Sequence, residues 1–347
     1  MESGLVTERA GQAQPLRRND AEPTIVVTGG IHYDTMLRLP RLPRANDRIS
    51  IEGMTLAPGG MGGNVAATFA RLGGNVRFAG AFTRDEDGIA LRRDLEIDGV
   101  DCSFASTREG LSWRGFILVG EEGQRAIIGG WPPARELERA PGRPPGLEEP
   151  TRYPRWKGLG ELLAGLIDKP GLFDPPVHGF SLPSNFVLPI LPKIPADLPI
   201  FIDVETGHFE GQEASQIWEV LCRARLVFGN EENLIQLAAR LGVGDVATLA
   251  EMIGGATIQT RGDRGCAIYD NGMCVPVPGF AVQPVDTTGA GDSFAASFTL
   301  GFLRGWELER AAQYANAVAA LSTTGLGSRA GVPCADEVAR FLEESPH

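Results

Sequence analysis

The residues best suited to chemistry stand together between Pro284 and Phe302, in the run PVDTTGAGDSFAASFTLGF. Asp286-Thr287-Thr288-Gly289-Ala290-Gly291 reads as a glycine-broken turn. From Asp292 onward Phe294, Ala295, Phe298, Leu300 and Phe302 follow an apolar helical pattern. A turn of small residues running into a helix leaves several backbone N–H groups without acceptors, all aimed at one point. The helix dipole adds to their attraction for negative charge. The amides of Gly289, Ala290 and Gly291 are therefore a candidate anion hole, with Asp292 at its mouth. A carboxylate there can take a proton from a hydroxyl while a phosphoryl group arrives. An N-cap aspartate on a core helix is the plainer alternative, but it leaves the Gly-Ala-Gly run unexplained.

A second glycine cluster lies near the other end of the chain, at Gly59-Gly60-Met61-Gly62-Gly63-Asn64-Val65-Ala66. Glycines there would let a ligand approach the backbone, and Asn64 offers donors and an acceptor to vicinal hydroxyls. The Gly-x-Gly-x-x-Gly pattern of dinucleotide sites fails in either register. From Gly60 its last glycine falls on Val65, and from Gly59 its second falls on Met61. A glycine-rich turn without a ligand remains the alternative.

The two motifs, in this order, resemble the signatures of the ribokinase-like (PfkB) carbohydrate and nucleoside kinases. The resemblance covers residues 24–343 and is weakest between Trp131 and Ser184. It implies an α/β fold: a central, mostly parallel sheet flanked by helices, with a small β-strand lid over the sugar. The implied reaction is ATP-dependent phosphorylation of a primary hydroxyl of a sugar or sugar derivative, with Asp292 as general base. ATP and magnesium are the implied cofactors. Substrate hydroxyls would meet Asp34 and His32, which follow the first strand, together with Gly59, Gly60 and Asn64. Nucleotide contacts would come from Asn230, from Thr260, Gly262 and Gly265 in the TRGDRG loop, and from Asn316 beside an adenine slot. Asp286 and Thr288, with carbonyls around Gly327, match positions that bind a monovalent cation such as potassium in many members. Arg329 would reach an anionic group or pair with a surface acid.

Several positions depart from the family pattern. His32 stands where ribokinases tend to carry asparagine, and Met61 where they tend to carry lysine. No glutamate lies around Phe180-Ser181-Leu182 to match another ribose contact. These differences bear on ribose as the acceptor and leave the phosphoryl-transfer residues in place. After Asn230 the family's fourth-position glutamate is replaced by Asn233, which leaves Glu232 to serve magnesium's water shell. Two other readings follow. Met61, Trp113 and Phe116 could wall an aromatic base, as in an adenosine-like nucleoside kinase of the same fold. A non-catalytic, metabolite-sensing binding protein could also use this fold.

The elements that must position these residues alternate along the chain. Thr24 to Thr28 is a buried strand emptying into Gly29-Gly30, and Gly62 to Leu72 is a helix. Val76 to Ala79, Val177 to Phe180, Ile200 to Val204, Leu226 to Phe228 and Ala256 to Gln259 read as strands. Asp87 to Asp98, Glu213 to Ala224, Glu231 to Leu241 and Asp245 to Ile253 read as helices. This rhythm predicts a parallel sheet with its ligands beyond the carboxyl ends of the strands. Segments at about 35–57 and 113–129 are the expected lid strands, the second a hairpin around Gly120-Glu121-Glu122-Gly123. Lids of this kind raise the expectation of a homodimer formed through them. Residues 1–22 read as a flexible polar tail before a kinase domain spanning 23–347, and the proline-rich stretch 131–160 as an insertion.

Composition sets the outer bounds. A formal net charge of −12 argues against nucleic-acid or anionic-membrane surfaces, though a local nest of amides can still hold phosphate. The five cysteines are scattered with no metal-like pairing, as expected for free thiols in a cytoplasmic protein. No apolar run is long enough for a membrane span.

Overall fold

A computed structural model describes residues 22–120, 125–130, 165–183, 187–205, 208–209 and 211–345. Strand β1 (Thr24–Val27) shows how the layers arise. Its residues are all buried, with Ile25 and Val27 facing one hydrophobic layer and Val26 the other. That is the pattern of a parallel strand covered on both faces. β2 (His32–Arg38), β3 (Gly53–Gly59), α1 (Met61–Arg71) and β4 (Asn75–Phe78) follow. Next come β5 (Ala81–Thr83), α2 (Glu86–Ile97), β6 (Ser106–Arg108), β7 (Arg114–Val119) and β8 (Arg125–Gly130). β9 (Gly179–Pro183), β10 (Ile200–Val204), α3 (Ala214–Arg223), β11 (Ala224–Asn230), α4 (Glu231–Arg240) and α5 (Val246–Ile253) continue the alternation. β12 (Ala256–Thr260), β13 (Cys266–Asp270) and β14 (Met273–Val277) precede α6 (Ala290–Leu303), α7 (Leu308–Ser322) and α8 (Ala335–Glu344).

The main sheet has eight strands in the order β14-β13-β12-β11-β10-β9-β1-β4. It is parallel from β4 to β12, and β13 and β14 close the far edge antiparallel. The chain leaves β1 for β4 on one side and returns through β9 on the other, so the order reverses at β1 and β9. Ligands in open α/β sheets bind beyond the strand ends at such a point. The glycine loop after β1 lies there. A side chain on Gly62 would sit 2.7 Å from the Gly29 backbone, so only glycine lets α1 start this close to the strand end. Helices α1, α6 and α7 cover one face of the sheet and α3, α4 and α5 the other. Phe228 of β11 packs edge-on against Phe298 of α6, with ring centroids 5.5 Å apart, which seats the helix over the strand.

A second, four-stranded sheet has the order β3-β2-β7-β8. Sequence reading places its first strand from Thr35, whereas β2 already starts at His32 and β3 runs on to Gly59. The antiparallel ladder continues to the pair His32 and Gly59, which no local pattern reveals. His32, Asp34 and Gly59 therefore stand on strands rather than on loops. Alternation divides the sheet into two faces. Asp34, Met36, Ala57 and Ile117 are buried on one. Leu56, Phe116 and Ile128 lie in register beside Thr35 on the other and are exposed. The hairpin turn at 121–124, the proline-rich 131–160 and residues 1–21 of the tail lie outside the described residues. No described helix is long and apolar enough to cross a membrane.

Candidate active site

The turn before α6 is built by Asp286. One of its carboxylate oxygens accepts from the Thr288 amide (3.0 Å) and hydroxyl (2.8 Å), and the other from the Gly327 amide (2.8 Å). These donors fill most of the roughly four lone-pair sites a carboxylate offers. Gly289 then turns into the helix with φ +78°, a left-handed conformation in which a side chain would lie 2.6 Å from the Ser328 Cβ. In the first turn of α6 the Ala290 amide makes only a long bond, 3.4 Å, to Thr287. The Gly291 and Asp292 amides find no backbone acceptor among the described residues. A Cβ at Gly291 would meet no atom within 4 Å, so there is open space beside this first turn. This is the geometry an incoming phosphoryl group needs.

Asp292 is partly exposed at the edge of that space. The Asn64 side-chain amide donates to its Oδ2 at 2.7 Å, joining residues 228 positions apart in sequence. Desolvation pushes the Asp292 pKa up to about 7, against the downward pull of the Asn64 bond. Glu205 adds to the rise, while Arg329 and Arg125 oppose it. Near neutral pH the group is thus poised between its two forms, as a general base should be.

Among the residues expected to meet substrate, Asp34 is 8% exposed, and its Oδ1 lies 3.1 Å from the His32 Nε2. The His32 ring meets the Trp113 ring edge-on, with centroids 4.0 Å apart. Glycines make room for this carboxylate. A Cβ on Gly59 would be 2.1 Å from one oxygen and a Cβ on Gly115 2.2 Å from the other. Gly60 caps α1, and Arg329 bonds both the Gly59 carbonyl and Asn64. His32, Asp34, Gly59, Gly60 and Asn64 are thereby brought to the same end of the sheet as Asp292.

The nucleotide-side expectations meet a more structural arrangement. Asn230 caps α4 by accepting from the Asn233 amide at 2.8 Å. Asn233 turns its own amide inward to the Val204 carbonyl at 3.0 Å, bridging α4 to β10. Glu232 is exposed and accepts from Gln236 one turn later, at 3.0 Å. Thr260 ends β12, and Gly262 opens the tight turn that Gly265 closes. A Cβ on Gly265 would be 2.2 Å from the Val277 carbonyl oxygen. Asn316 is buried on α7, and its NH2 donates to the Pro278 (2.9 Å) and Val277 (3.3 Å) carbonyls. Its amide nitrogen therefore holds the loop after β14.

Three charged groups around Asp292 carry roles that the sequence alone did not reveal. Asp203, near the end of β10, has its pKa raised well above the usual value by burial and by the charges of Glu205 and Asp292. An acid inside an otherwise apolar strand was the available signal. Arg125, on β8, points its guanidinium at the Thr288 hydroxyl, 3.4 Å away. For Arg329 the expected pairing with a surface acid is not what the structure shows. The residue is 3% exposed, with Nε 3.0 Å from the Asn64 oxygen.

Comparison with known proteins agrees with this geometry. The chain is 29% identical over 321 residues to an ATP-dependent ribose-1-phosphate kinase of Halopiger xanaduensis, covering 92% of this chain and 98% of that protein. It is 25% identical over 323 residues to a nucleoside kinase of Methanothermobacter thermautotrophicus, covering 92% and 96%. Its fold matches that of the Arabidopsis thaliana ribokinase solved with ribose and ATP, with TM-score 0.65 and 21% identity over 94% of this chain and 100% of that one. Residues 23–142 and 203–335 match the pfkB family carbohydrate kinase profile, and these segments hold both glycine motifs and the cleft between them. With those motifs joined at Asn64 and Asp292 on a mostly parallel sheet, the chain belongs to the pfkB family of carbohydrate kinases.

Proposed function

We propose that this kinase transfers a phosphoryl group from ATP to a primary hydroxyl of a sugar or sugar derivative. The observation that carries the reading is the 2.7 Å bond between Asn64 and Asp292, which sets a hydroxyl-recognising amide of α1 against a poised carboxylate at an open helix N-terminus. Asp292 removes the hydroxyl proton. The amides of Gly289 to Asp292 stabilise negative charge on the group in transfer, in a site where preorganised dipoles need no rearrangement. Asp34 accepts from sugar hydroxyls, with His32 and Asn64 ordering the remainder, and Gly59 and Gly60 allow close approach. ATP with its magnesium supplies the phosphoryl group and neutralises phosphate charge. Asn230, Thr260, Gly262, Gly265 and Asn316 line its side of the cleft in this reading. The Glu232 oxygen not bonded to Gln236 would hold magnesium's water shell, and Asp286 with Thr288 would take potassium. The second sheet acts as the lid that excludes water. Its outer row of Leu56, Phe116 and Ile128 supports a homodimer formed lid to lid.

A second acceptor class has its own support. Trp113, edge-on to His32 beside Asp34, provides an aromatic wall of the kind a nucleoside base requires. The relative named a nucleoside kinase points the same way. A phosphorylation screen over hexoses, pentoses, phosphosugars, acidic and sulfonated sugars and nucleosides, read by product mass, decides between them. A product carrying one added phosphate on a sugar upholds the first reading, and one on a nucleoside the second. ATP binding without transfer to any of them would defeat both.

A further inference from the structure

Arg329 is a costly residue to bury. Its guanidinium is buried, and one of its terminal nitrogens, Nη1, has no hydrogen-bond partner among the described residues. Burial lowers its pKa to about 10, which still leaves it charged at neutral pH. A buried, incompletely paired cation is costly, and a well-packed apolar residue of similar volume would generally be no worse for stability. The surroundings nevertheless hold it in place. Nη2 donates to the Gly59 carbonyl at 2.9 Å. Arg71, itself paired with Asp98, donates to the Arg329 carbonyl at 2.6 Å. A Cβ on Gly63 would lie 2.1 Å from Nη2, so the fourth glycine of the first motif is the space this arginine occupies.

What the arrangement accomplishes lies one bond further on. Arg329 Nε donates to the Asn64 side-chain oxygen at 3.0 Å. The Ser328 hydroxyl also reaches that oxygen, at 3.1 Å, but it has one proton to share with the nearer Pro58 carbonyl at 2.9 Å. Arg329 is therefore the donor dedicated to Asn64. Because an arginine can only donate, the amide must turn its oxygen toward Arg329, and its NH2 then faces Asp292. We propose that Arg329 is a positioning residue for phosphoryl transfer, locking the Asn64 amide so that its NH2 stays on the Asp292 carboxylate. This rests on the reading of Asp292 as the base.

The test is the ionisation of Asp292. The charged and titratable groups facing it are Asp203 and Glu205 from β10 and the loop after it, Arg125 from β8, and Arg329. Arg329→Met keeps an unbranched, apolar stem and removes every donor. It should shift the acidic limb of kcat/KM upward by about one pH unit, which at pH 7 lowers the ionised fraction roughly five-fold. The Asp292 carboxyl titration followed by carbon-13 NMR in ligand-free protein, assigned with Asp292→Asn, should move the same way. In an Asn64→Leu background the same substitution should produce less than half of that shift, because the route through the amide is gone. A folded Arg329→Met protein with an unmoved titration overturns the proposal, as does an equal shift in both backgrounds. If Arg329→Met does not fold, Gly63→Ala, which displaces the guanidinium without removing it, is held to the same criterion. Failure of the base reading looks different: Asp292→Asn would then retain its turnover.

Discussion

Replacing Asp34 with alanine separates substrate recognition from phosphate chemistry. The carboxylate is 8% exposed, and among the described residues His32 is the one side chain bonded to it, which leaves most of its lone pairs open there. A hydrogen bond to a charged acceptor contributes about 1.5–3 kcal/mol. Asp34→Ala should therefore weaken sugar binding by roughly ten- to a hundred-fold. Asp34 belongs to the second sheet, whereas the open amides belong to α6, so nucleotide affinity measured without sugar should hardly change. Calorimetry with the acceptor identified in the screen, and separately with a non-hydrolysable ATP analogue, gives both numbers. The structure supplies a control. Gly59→Ala leaves Asp34 in the sequence but puts a methyl group 2.1 Å from its carboxylate oxygen, so it should reproduce the loss of sugar affinity. Normal sugar binding combined with lost nucleotide binding in Asp34→Ala would show that the cleft is oriented the other way.

The remaining predictions concern the α6 terminus. Because the base must be ionised to act, kcat/KM should fall as pH drops through about 7, the value to which burial raises Asp292. A pH-rate profile flat from 6 to 8 would contradict this. The same shift has a cost in stability. With a folded pKa of about 7 against an ordinary aspartate value of 3.8, the native state holds the proton more tightly, so stability is lost as pH rises through that window. Asp292→Asn should accordingly raise the melting temperature at pH 8 and change it far less at pH 4, as thermal scans at the two pH values would show. Gly291→Val should fold, since its Cβ meets no atom within 4 Å, yet lose at least about 100-fold in turnover by crowding the anion hole. A silent Gly291→Val would misplace that hole.

Much of this arrangement was legible in the sequence because it is written in local patterns. The strand at Ile200 to Val204 and the helix from Glu231 read correctly to within a residue, since hydrophobic period and capping residues mark them directly. The start of β2 at His32 did not, because the pairing that extends it comes from Gly59 on another strand. Among site residues, the glycines and Asp292 announce themselves by spacing. The meeting of Asn64 with Asp292 could be inferred only from the resemblance to a family, as nothing local links them. Arg125, and the bond from Arg329 to Asn64, were illegible for a related reason. An arginine in a short polar loop or on an amphipathic strand looks solvated until the fold brings its partner. Side-chain direction was equally hidden at Asn316 and Glu232, whose bonds to Pro278 and Gln236 depend on where neighbouring elements pass.

The central claim is that Asp292 takes the proton from a hydroxyl bound beside the α6 amides. It is tested most directly by single-turnover transfer from radiolabelled ATP to the acceptor, comparing Asp292→Asn with the unaltered enzyme at saturating substrates. The transfer rate of Asp292→Asn should be lower by about 10²–10⁴-fold with ATP affinity largely intact. Transfer at a near-normal rate by Asp292→Asn would remove Asp292 from the mechanism.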